Sequence, residues 1–116
     1  MPSVLLVDDD RAFRDSLLAY LRELLPDGTV CAVADGNAGF ARALELRPSH
    51  VLLDHVMPGP NGAEVAHALT QALPATRVVM LSGADDVDAA LFPADVVLIR
   101  KDERLHERLA ELFRAR

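Results

Sequence analysis

Residues 4–10 read VLLVDDD, and residues 51–54 repeat the same arrangement as VLLD. Each stretch is a short aliphatic run that ends on aspartate. Such runs are typical of strands buried on both faces of a parallel sheet, whose ligands bind beyond the carboxyl ends of the strands. If the two strands are neighbours, three or four carboxylates converge, and each like-charge pair at ~4 Å costs on the order of 4 kcal/mol at an effective dielectric near ~20. The sequence therefore predicts a positive charge there: a divalent cation, a lysine or both.

Length and composition indicate a single domain. The chain has 116 residues, of which 51% are hydrophobic, so we assign residues 1–116 to one domain with one substantial core. The formal net charge of −6 at pH 7 argues against direct binding of nucleic acid, because the basic residues form no cluster. Cys31 lies in an apolar run, which favours a small buried hydrophobe in a reducing compartment.

No segment of the sequence predicts export or a membrane span. The longest apolar runs are far shorter than the roughly 20 residues that a helix needs to cross a bilayer. The N-terminus lacks the basic region and the long apolar core of a signal peptide. We therefore expect a cytoplasmic protein without membrane partners.

Strand-like and helix-like segments alternate along the chain. Apolar runs predict strands at 3–7, 29–34, 50–53, 77–81 and 96–99. Apolar residues spaced three and four apart predict helices at 12–25, 38–46, 62–73 and 103–113. In the helix at 38–46 we expect Phe40, Ala41 and Leu44 to face the core. Asp10 and Asn61 are the expected caps of the helices that follow them.

One connection interrupts this alternation. Between Gly83 and Pro93, only the four apolar residues 89–92 precede the proline. Proline biases the preceding residue away from the helical region, so a helix here has about one or two turns. We therefore predict an α/β fold of the (βα)5 type: a doubly wound, five-stranded parallel sheet with helices on both faces and a short fourth helix.

The aspartates at the two strand ends divide into structural and functional candidates. Any one of them alone could be an ordinary cap, and Asp10 is the candidate for that role. Asp8 and Asp9 then remain as metal-site carboxylates, together with Asp54. Hard oxygen ligands without an adjacent histidine or thiol select Mg²⁺ or a similar cation. His55 is expected at the surface and outside the site, because neighbours on an extended chain point apart.

Two further polar residues follow strands at the same edge. Lys101 is the only lysine among the 12 lysine and arginine residues, and it comes after the last strand. Its compact ammonium can enter a carboxylate cluster where a planar guanidinium would need more room. Ser82 follows the fourth strand, and its hydroxyl can donate to an anionic oxygen. Taken singly, each could be an ordinary surface lysine or turn serine.

Together these segments resemble the receiver domain of bacterial two-component response regulators over essentially the whole chain. The segments that carry the resemblance are Leu5-Leu6-Val7-Asp8-Asp9-Asp10, Asp54-x-x-Met57-Pro58-Gly59-x-Asn61-Gly62, Ser82-Gly83-Ala84 and Lys101. The resemblance implies a flavodoxin-like fold with strand order 2-1-3-4-5. It also implies a phosphoacceptor signalling domain that assists its own Mg²⁺-dependent phosphorylation and dephosphorylation, rather than an enzyme.

The resemblance implies a role for each site residue. Asp54 would accept a phosphoryl group from a phosphohistidine on a sensor histidine kinase or histidine phosphotransfer protein. Asp8, Asp9 and Asp54 would hold Mg²⁺ together with the backbone carbonyl of Val56. Ser82 would bond a phosphoryl oxygen, and Lys101 would pair with it. Phosphorylation would then switch binding of a downstream effector protein or output domain, and homodimerisation stays open.

Three features depart from the family pattern. Asp102 stands where the family usually has a proline, and Leu98 stands where it commonly has a switching aromatic residue. The interval from Ser82 to Lys101 is also short. A signal based on rotation of an aromatic ring therefore cannot be carried over to this chain. These departures keep open a second function, that of an atypical receiver that binds partners independently of phosphorylation.

A different kind of α/β protein is the third alternative. A flavodoxin-like cofactor binder needs glycines and hydroxyls after the first strand, where this chain has three aspartates that would repel phosphate. An aspartate-based phosphatase would want its nucleophile on the first strand and a second acid two residues later, which Asp8 and Asp10 could mimic.

Overall fold

The chain folds into alternating strands and helices. The computed structural model describes residues 2–57, 59–83 and 89–114. The strands are β1 (Ser3–Val7), β2 (Thr29–Val33), β3 (His50–Asp54), β4 (Arg77–Ser82) and β5 (Val97–Arg100). The α-helices are α1 (Arg11–Leu24), α2 (Gly36–Leu46), α3 (Gly62–Ala72) and α4 (Leu105–Arg114), and a 3-10 turn spans Ala89–Leu91.

The five strands of the described residues form one parallel sheet in the order β2-β1-β3-β4-β5. In its centre, Val7 of β1 lies opposite Leu53 of β3, and Asp54 lies opposite Leu81 of β4. The strand order changes direction at β1 and β3, so the carboxyl ends of these two strands form the switch point where ligands of open α/β sheets bind. The predicted fold class and strand order are confirmed.

Two apolar cores cover the two faces of the sheet. Helices α2 and α3 pack on one face, against residues such as Leu5 and Leu53. Helices α1 and α4 pack on the other face, against Leu6 and Leu52. Because successive side chains of a strand point to opposite faces and both faces are covered, the central strands read as uninterrupted aliphatic runs.

The predicted helix caps are confirmed. Asp10 accepts a hydrogen bond from the backbone N–H of Phe13 at 3.3 Å, and so begins α1. Asn61 begins α3 through a reciprocal capping box with Glu64. Helix α2 begins two residues before its predicted start, because Asp35 is its cap and accepts from the third residue of the helix. An amide donor at each helix start is thereby satisfied.

The expected inner face of α2 is confirmed at Phe40 and wrong at Ala41 and Leu44. Ala41 is exposed and Leu44 is 43% exposed, whereas Gly36, Gly39 and Ala43 are buried. The reason is close packing: a Cβ atom built on Gly39 would lie 2.8 Å from Cγ2 of Val7 in β1. The helix therefore approaches the sheet through its small residues, and Phe40 packs against the same core as a half-buried residue.

The connection between β4 and β5 contains the 3-10 turn, and the rest of the predicted short fourth helix falls on residues 84–88, outside the described part of the chain. Leu98 of β5 is 42% exposed. Strand β5 begins one residue later than predicted, and α4 begins at Leu105 rather than at residue 103.

Among the described helices, none has the length and apolar character required to cross a membrane.

Candidate functional site

Three carboxylates meet at the carboxyl ends of β1 and β3. Asp8, Asp9 and Asp54 each offer an oxygen atom within 4.8 Å of the others. Asp8 is fully buried, Asp54 is nearly so, and Asp9 is exposed. The structure therefore brings together the three side chains that the sequence analysis selected, with the exposed Asp9 at the entrance to the cluster.

Asp8 is held by contacts on its backbone and on its side chain. Its backbone N–H donates to the carbonyl of Val33 in β2 at 3.2 Å, and its Oδ1 accepts from the N–H of Asp10 at 2.8 Å. Its carbonyl accepts from Nη1 of Arg14 in α1 at 2.8 Å. The sequence did not single out Arg14 as a contact of Asp8. Its place in α1, one turn beyond the Asp10 cap, could have indicated it. These contacts fix the loop that carries the carboxylates.

Lys101 bridges the two strand ends. Its Nζ donates to Oδ2 of Asp8 at 2.9 Å and to Oδ1 of Asp54 at 3.0 Å. Its side chain is 19% exposed, and its backbone N–H donates to the carbonyl of Ser82 at 2.8 Å. Hydrogen bonds between ionised partners at these distances are among the stronger ones in proteins. Lys101 therefore occupies the position that the sequence analysis expected.

An aromatic ring lies on the same ammonium. The Nζ atom of Lys101 is 4.2 Å from the ring centroid of Phe13, in the first turn of α1. This distance is within the range of favourable cation–π contacts. Nothing in the sequence pattern connected Phe13 with Lys101, so this neighbour of the lysine was missed.

Burial and the charges of the cluster shift two pKa values. Burial raises the pKa of Asp54 above its usual value, against the opposing hydrogen bond and charge of Lys101, while the charge of Asp8 adds to the increase. Burial disfavours the ammonium of Lys101, but hydrogen bonds and charges from Asp8 and Asp54 more than offset it and raise the pKa of Lys101. The surrounding carboxylates therefore stabilise the cationic form of Lys101. Burial disfavours the ionised form of Asp54, so a nearby positive charge stabilises its carboxylate.

Ser82 lies buried at the end of β4, in the same edge of the sheet. Val56 lies two residues beyond β3, with 72% of its surface exposed. The backbone between β3 and α3 is anchored because Gly62 N–H donates to the carbonyl of His55, whose own N–H donates to the carbonyl of Leu81. The motif residues Pro58 and Ala84 lie outside the described part of the chain.

The expectation that His55 is a surface residue is wrong. Its ring is partly buried and packs edge-on against Phe92, with a centroid distance of 5.2 Å. Its Nδ1 is buried and has no hydrogen-bond partner among the described residues. His55 therefore packs between the β3–α3 loop and the segment after the 3-10 turn.

Asp102, where the resemblance expects a proline, organises the start of α4. The peptide bond between Lys101 and Asp102 is trans. Oδ1 of Asp102 accepts from the N–H of Arg104 at 2.9 Å, and the Asp102 carbonyl accepts from the N–H of Leu105 at 3.1 Å. Its Oδ2 also lies 3.6 Å from Nη1 of Arg108. The loop that carries Lys101 is thus tied to the first turns of the last helix.

The fold and site define a class of protein: a doubly wound α/β domain with an acidic pocket and one lysine at its switch point. Residues 4–99 match the sequence model of the response regulator receiver domain. The chain belongs to that family. Its members are signalling domains of two-component systems, for which phosphorylation and an acidic pocket that binds Mg²⁺ are typical.

Individual relatives agree with this assignment. The transcriptional regulatory protein LiaR of Bacillus subtilis is 37% identical over 89 residues, which cover 76% of this chain and 42% of LiaR. The chain thus spans about two-fifths of the length of such curated relatives. The solved receiver domain of the putative response regulator NarL from Mycobacterium tuberculosis is 27% identical, with a TM-score of 0.75 over 99% of this chain and 98% of that one. The complex of histidine kinase ThkA with response regulator TrrA gives a TM-score of 0.82 at 22% identity, over 98% of this chain and 97% of that one.

Proposed function

We propose that this domain takes a phosphoryl group from a phosphohistidine onto Asp54, in the presence of Mg²⁺, and thereby switches partner binding. The observation that carries the proposal is the bridge that Lys101 makes between Asp8 and Asp54, with Asp9 in the same cluster. If Asp54 were only a helix or turn cap, it would not need the largely buried ammonium of Lys101 at 3.0 Å.

The residues fit a divalent cation. Asp8, Asp9 and Asp54 supply three negative charges and only oxygen donors, whereas Lys101 supplies one positive charge. Such a donor set suits Mg²⁺, which uses few carboxylates and retains several waters. From the family pattern, the Val56 carbonyl is a further ligand. When bound, the cation would neutralise charge on the transferring phosphoryl group.

In the transfer step, a carboxylate oxygen of Asp54 attacks the phosphorus atom. The new O–P bond forms as the P–N bond to the donor histidine breaks, and the imidazole leaves with the electron pair and takes up a proton. Lys101 keeps its charge throughout and pairs with a phosphoryl oxygen. Ser82, beside the backbone of Lys101, donates its hydroxyl to another. Such catalysis is mainly positioning and electrostatic stabilisation.

The expected partners follow from this chemistry. The donor is a sensor histidine kinase or a histidine phosphotransfer protein, and the ThkA–TrrA complex shows a fold of this kind bound to a histidine kinase. The recipient of the signal is an effector protein or an output domain; the relative LiaR is a transcriptional regulatory protein. The cytoplasmic location expected from the sequence fits this role.

A second candidate function is an interaction module that works without phosphorylation. Leu98, which replaces the usual aromatic residue, is exposed on β5, and Asp102 replaces the usual proline. An altered readout of this kind favours binding that does not depend on the state of Asp54.

Intact-mass measurement after incubation with Mg²⁺ and acetyl phosphate separates the candidates. We expect one phosphate adduct on the wild-type chain and on Asp10→Asn, and none on Asp54→Asn. Asp10→Asn is the matched control, because asparagine caps a helix as well as aspartate does.

Other outcomes contradict the proposal. Absence of an adduct on the wild-type chain, together with absence of Mg²⁺ binding in a titration, would favour the interaction module. If the Asp54→Asn chain still hydrolyses acetyl phosphate, the result would favour an aspartate-based phosphatase.

A further inference from the structure

We propose that Phe13 is a positioning residue for phosphotransfer: its ring holds the Lys101 ammonium in place beside Asp54. The inference rests on the proposed function and deepens it. Its starting observation is the distance of 4.2 Å between Nζ of Lys101 and the ring centroid of Phe13.

Among the described residues, the ammonium contacts two carboxylates and one aromatic ring. A lysine ammonium carries three N–H donors. Two neighbours are the oxygens of Asp8 and Asp54, at 2.9 and 3.0 Å, and the third is the face of the Phe13 ring. The ring excludes water from that side and attracts the cation electrostatically. Together the three neighbours restrict a flexible four-carbon side chain to one position.

The ring is itself fixed by the loop that carries the carboxylates. The backbone N–H of Phe13 donates to Oδ1 of Asp10, so the cap that ends the aspartate run also sets the ring's place in the first turn of α1. The side chain is half-buried against the core that α1 shares with α4. The next residue, Arg14, donates to the carbonyl of Asp8.

The ring contact differs in kind from the two carboxylate contacts. When Asp54 becomes an acyl phosphate, Lys101 exchanges its carboxylate partner on Asp54 for a phosphoryl oxygen, so this contact has to re-form. The ring is uncharged, and phosphorylation does not alter it. Phe13 can therefore hold the ammonium both before and after the transfer.

The test compares three variants of the whole chain under Mg²⁺ and acetyl phosphate. Phe13→Leu keeps an apolar side chain and removes the ring, Phe13→Tyr keeps the ring, and Phe40→Leu removes a half-buried ring from the opposite core. We expect Phe13→Leu to lower the maximal rate of phosphorylation roughly three- to tenfold, with little change in the donor concentration at half-maximal rate. Phe13→Tyr should restore most of the rate, and Phe40→Leu should leave it unchanged.

A second readout observes the contact itself. Because the chain has one lysine, protein labelled with ¹³C-lysine gives a single lysine side-chain spin system in NMR. We expect the ε-protons to lie upfield in the wild-type and Phe13→Tyr chains, shifted by the ring, and to move downfield in Phe13→Leu.

The outcomes distinguish this inference from the proposed function. A wild-type chain that forms no adduct contradicts the proposed function, and with it any positioning role. A wild-type chain that is phosphorylated, but whose rate or lysine resonances are unaffected by Phe13→Leu, overturns only the role of Phe13. The same holds if Phe13→Tyr loses as much rate as Phe13→Leu.

Discussion

Both carboxylate oxygens of Asp8 are already engaged within the protein. Oδ1 accepts from the N–H of Asp10, and Oδ2 accepts from Nζ of Lys101. A carboxylate offers about four lone-pair sites, so Asp8 retains acceptor capacity toward a cation or its waters. Asp9, by contrast, is exposed. We therefore expect Asp8 to organise the site and Asp9 to contact an entering cation.

At Lys101, shape matters as well as charge. We expect Lys101→Arg to slow phosphorylation by acetyl phosphate roughly 10- to 100-fold, because a planar guanidinium cannot occupy the space between Asp8, Asp54 and the Phe13 ring. The measurement is the initial rate of adduct formation by intact mass.

The control for this change is Arg11→Lys, since the Arg11 side chain is 87% exposed. It should react at the wild-type rate. A Lys101→Arg chain that also reacts at the wild-type rate would show that charge alone is sufficient at this position.

At the scale of elements, the strands and caps were predictable from sequence and the contacts between elements were not. A strand buried on both faces has to be apolar throughout, so β1 and β3 were visible as uninterrupted runs. The face of α2 was mispredicted at Ala41 and Leu44, because hydropathy selects large residues such as Leu44, whereas close approach to Val7 requires Gly39.

The candidate site shows the same division. Because parallel strands end at one edge of the sheet, Asp8, Asp54 and Lys101 could be brought together by topology alone. The contact between Phe13 and Lys101 joins a helix start to a loop 88 positions later. No local periodicity encodes such a contact, so it became visible only with the packing of α1.

The start of α3 is packed against the acceptor strand. A Cβ atom built on Gly62 would lie 2.5 Å from the Asp54 carbonyl oxygen and 2.8 Å from Sδ of Met80. We expect Gly62→Ala to lower the free energy of unfolding by about 1–3 kcal/mol in urea denaturation, despite the better helix propensity of alanine.

Gly83→Ala is the control for this substitution, because no described atom lies within 4 Å of its built Cβ. It should change the free energy of unfolding by less than about 0.5 kcal/mol. Equal effects of the two substitutions would contradict the packing argument.

Helix α4 depends on Asp102 for its start. Asp102→Ala removes the acceptor of the Arg104 N–H and should lower the free energy of unfolding by about 1 kcal/mol. Asp102→Asn keeps an acceptor and loses only the ion pair with Arg108, so its cost should be smaller. Urea denaturation of both variants measures the difference, and an asparagine variant as unstable as the alanine one would refute the hydrogen-bond explanation.

At the scale of the whole molecule, the acidic cluster links folding to cation binding. A ligand that binds only the folded chain stabilises it by about 2.7 kcal/mol at 100 times its Kd. We expect Mg²⁺ to raise the Tm of the wild-type chain. Asp9→Asn should raise the Tm without Mg²⁺, because a like charge is removed, and should reduce the further gain on adding Mg²⁺.

Asp10→Asn is the reference here, since it removes a neighbouring charge and keeps a helix cap. Its gain in Tm with Mg²⁺ should equal that of the wild-type chain. If Asp9→Asn responds to Mg²⁺ as strongly as this reference, Asp9 is not a ligand.

The single lysine also allows opening of the loop that carries it to be measured by proteolysis. A protease that cuts only after lysine has one substrate bond in this sequence, between Lys101 and Asp102. To bind the protease, that side chain must leave two carboxylates and an aromatic ring, and the loop ahead of α4 must open. When reclosing is faster than cutting, the cleavage rate follows the population of the open loop. The rate at which two fragments appear on a gel would then report the fraction of molecules in which this loop is open, without any label.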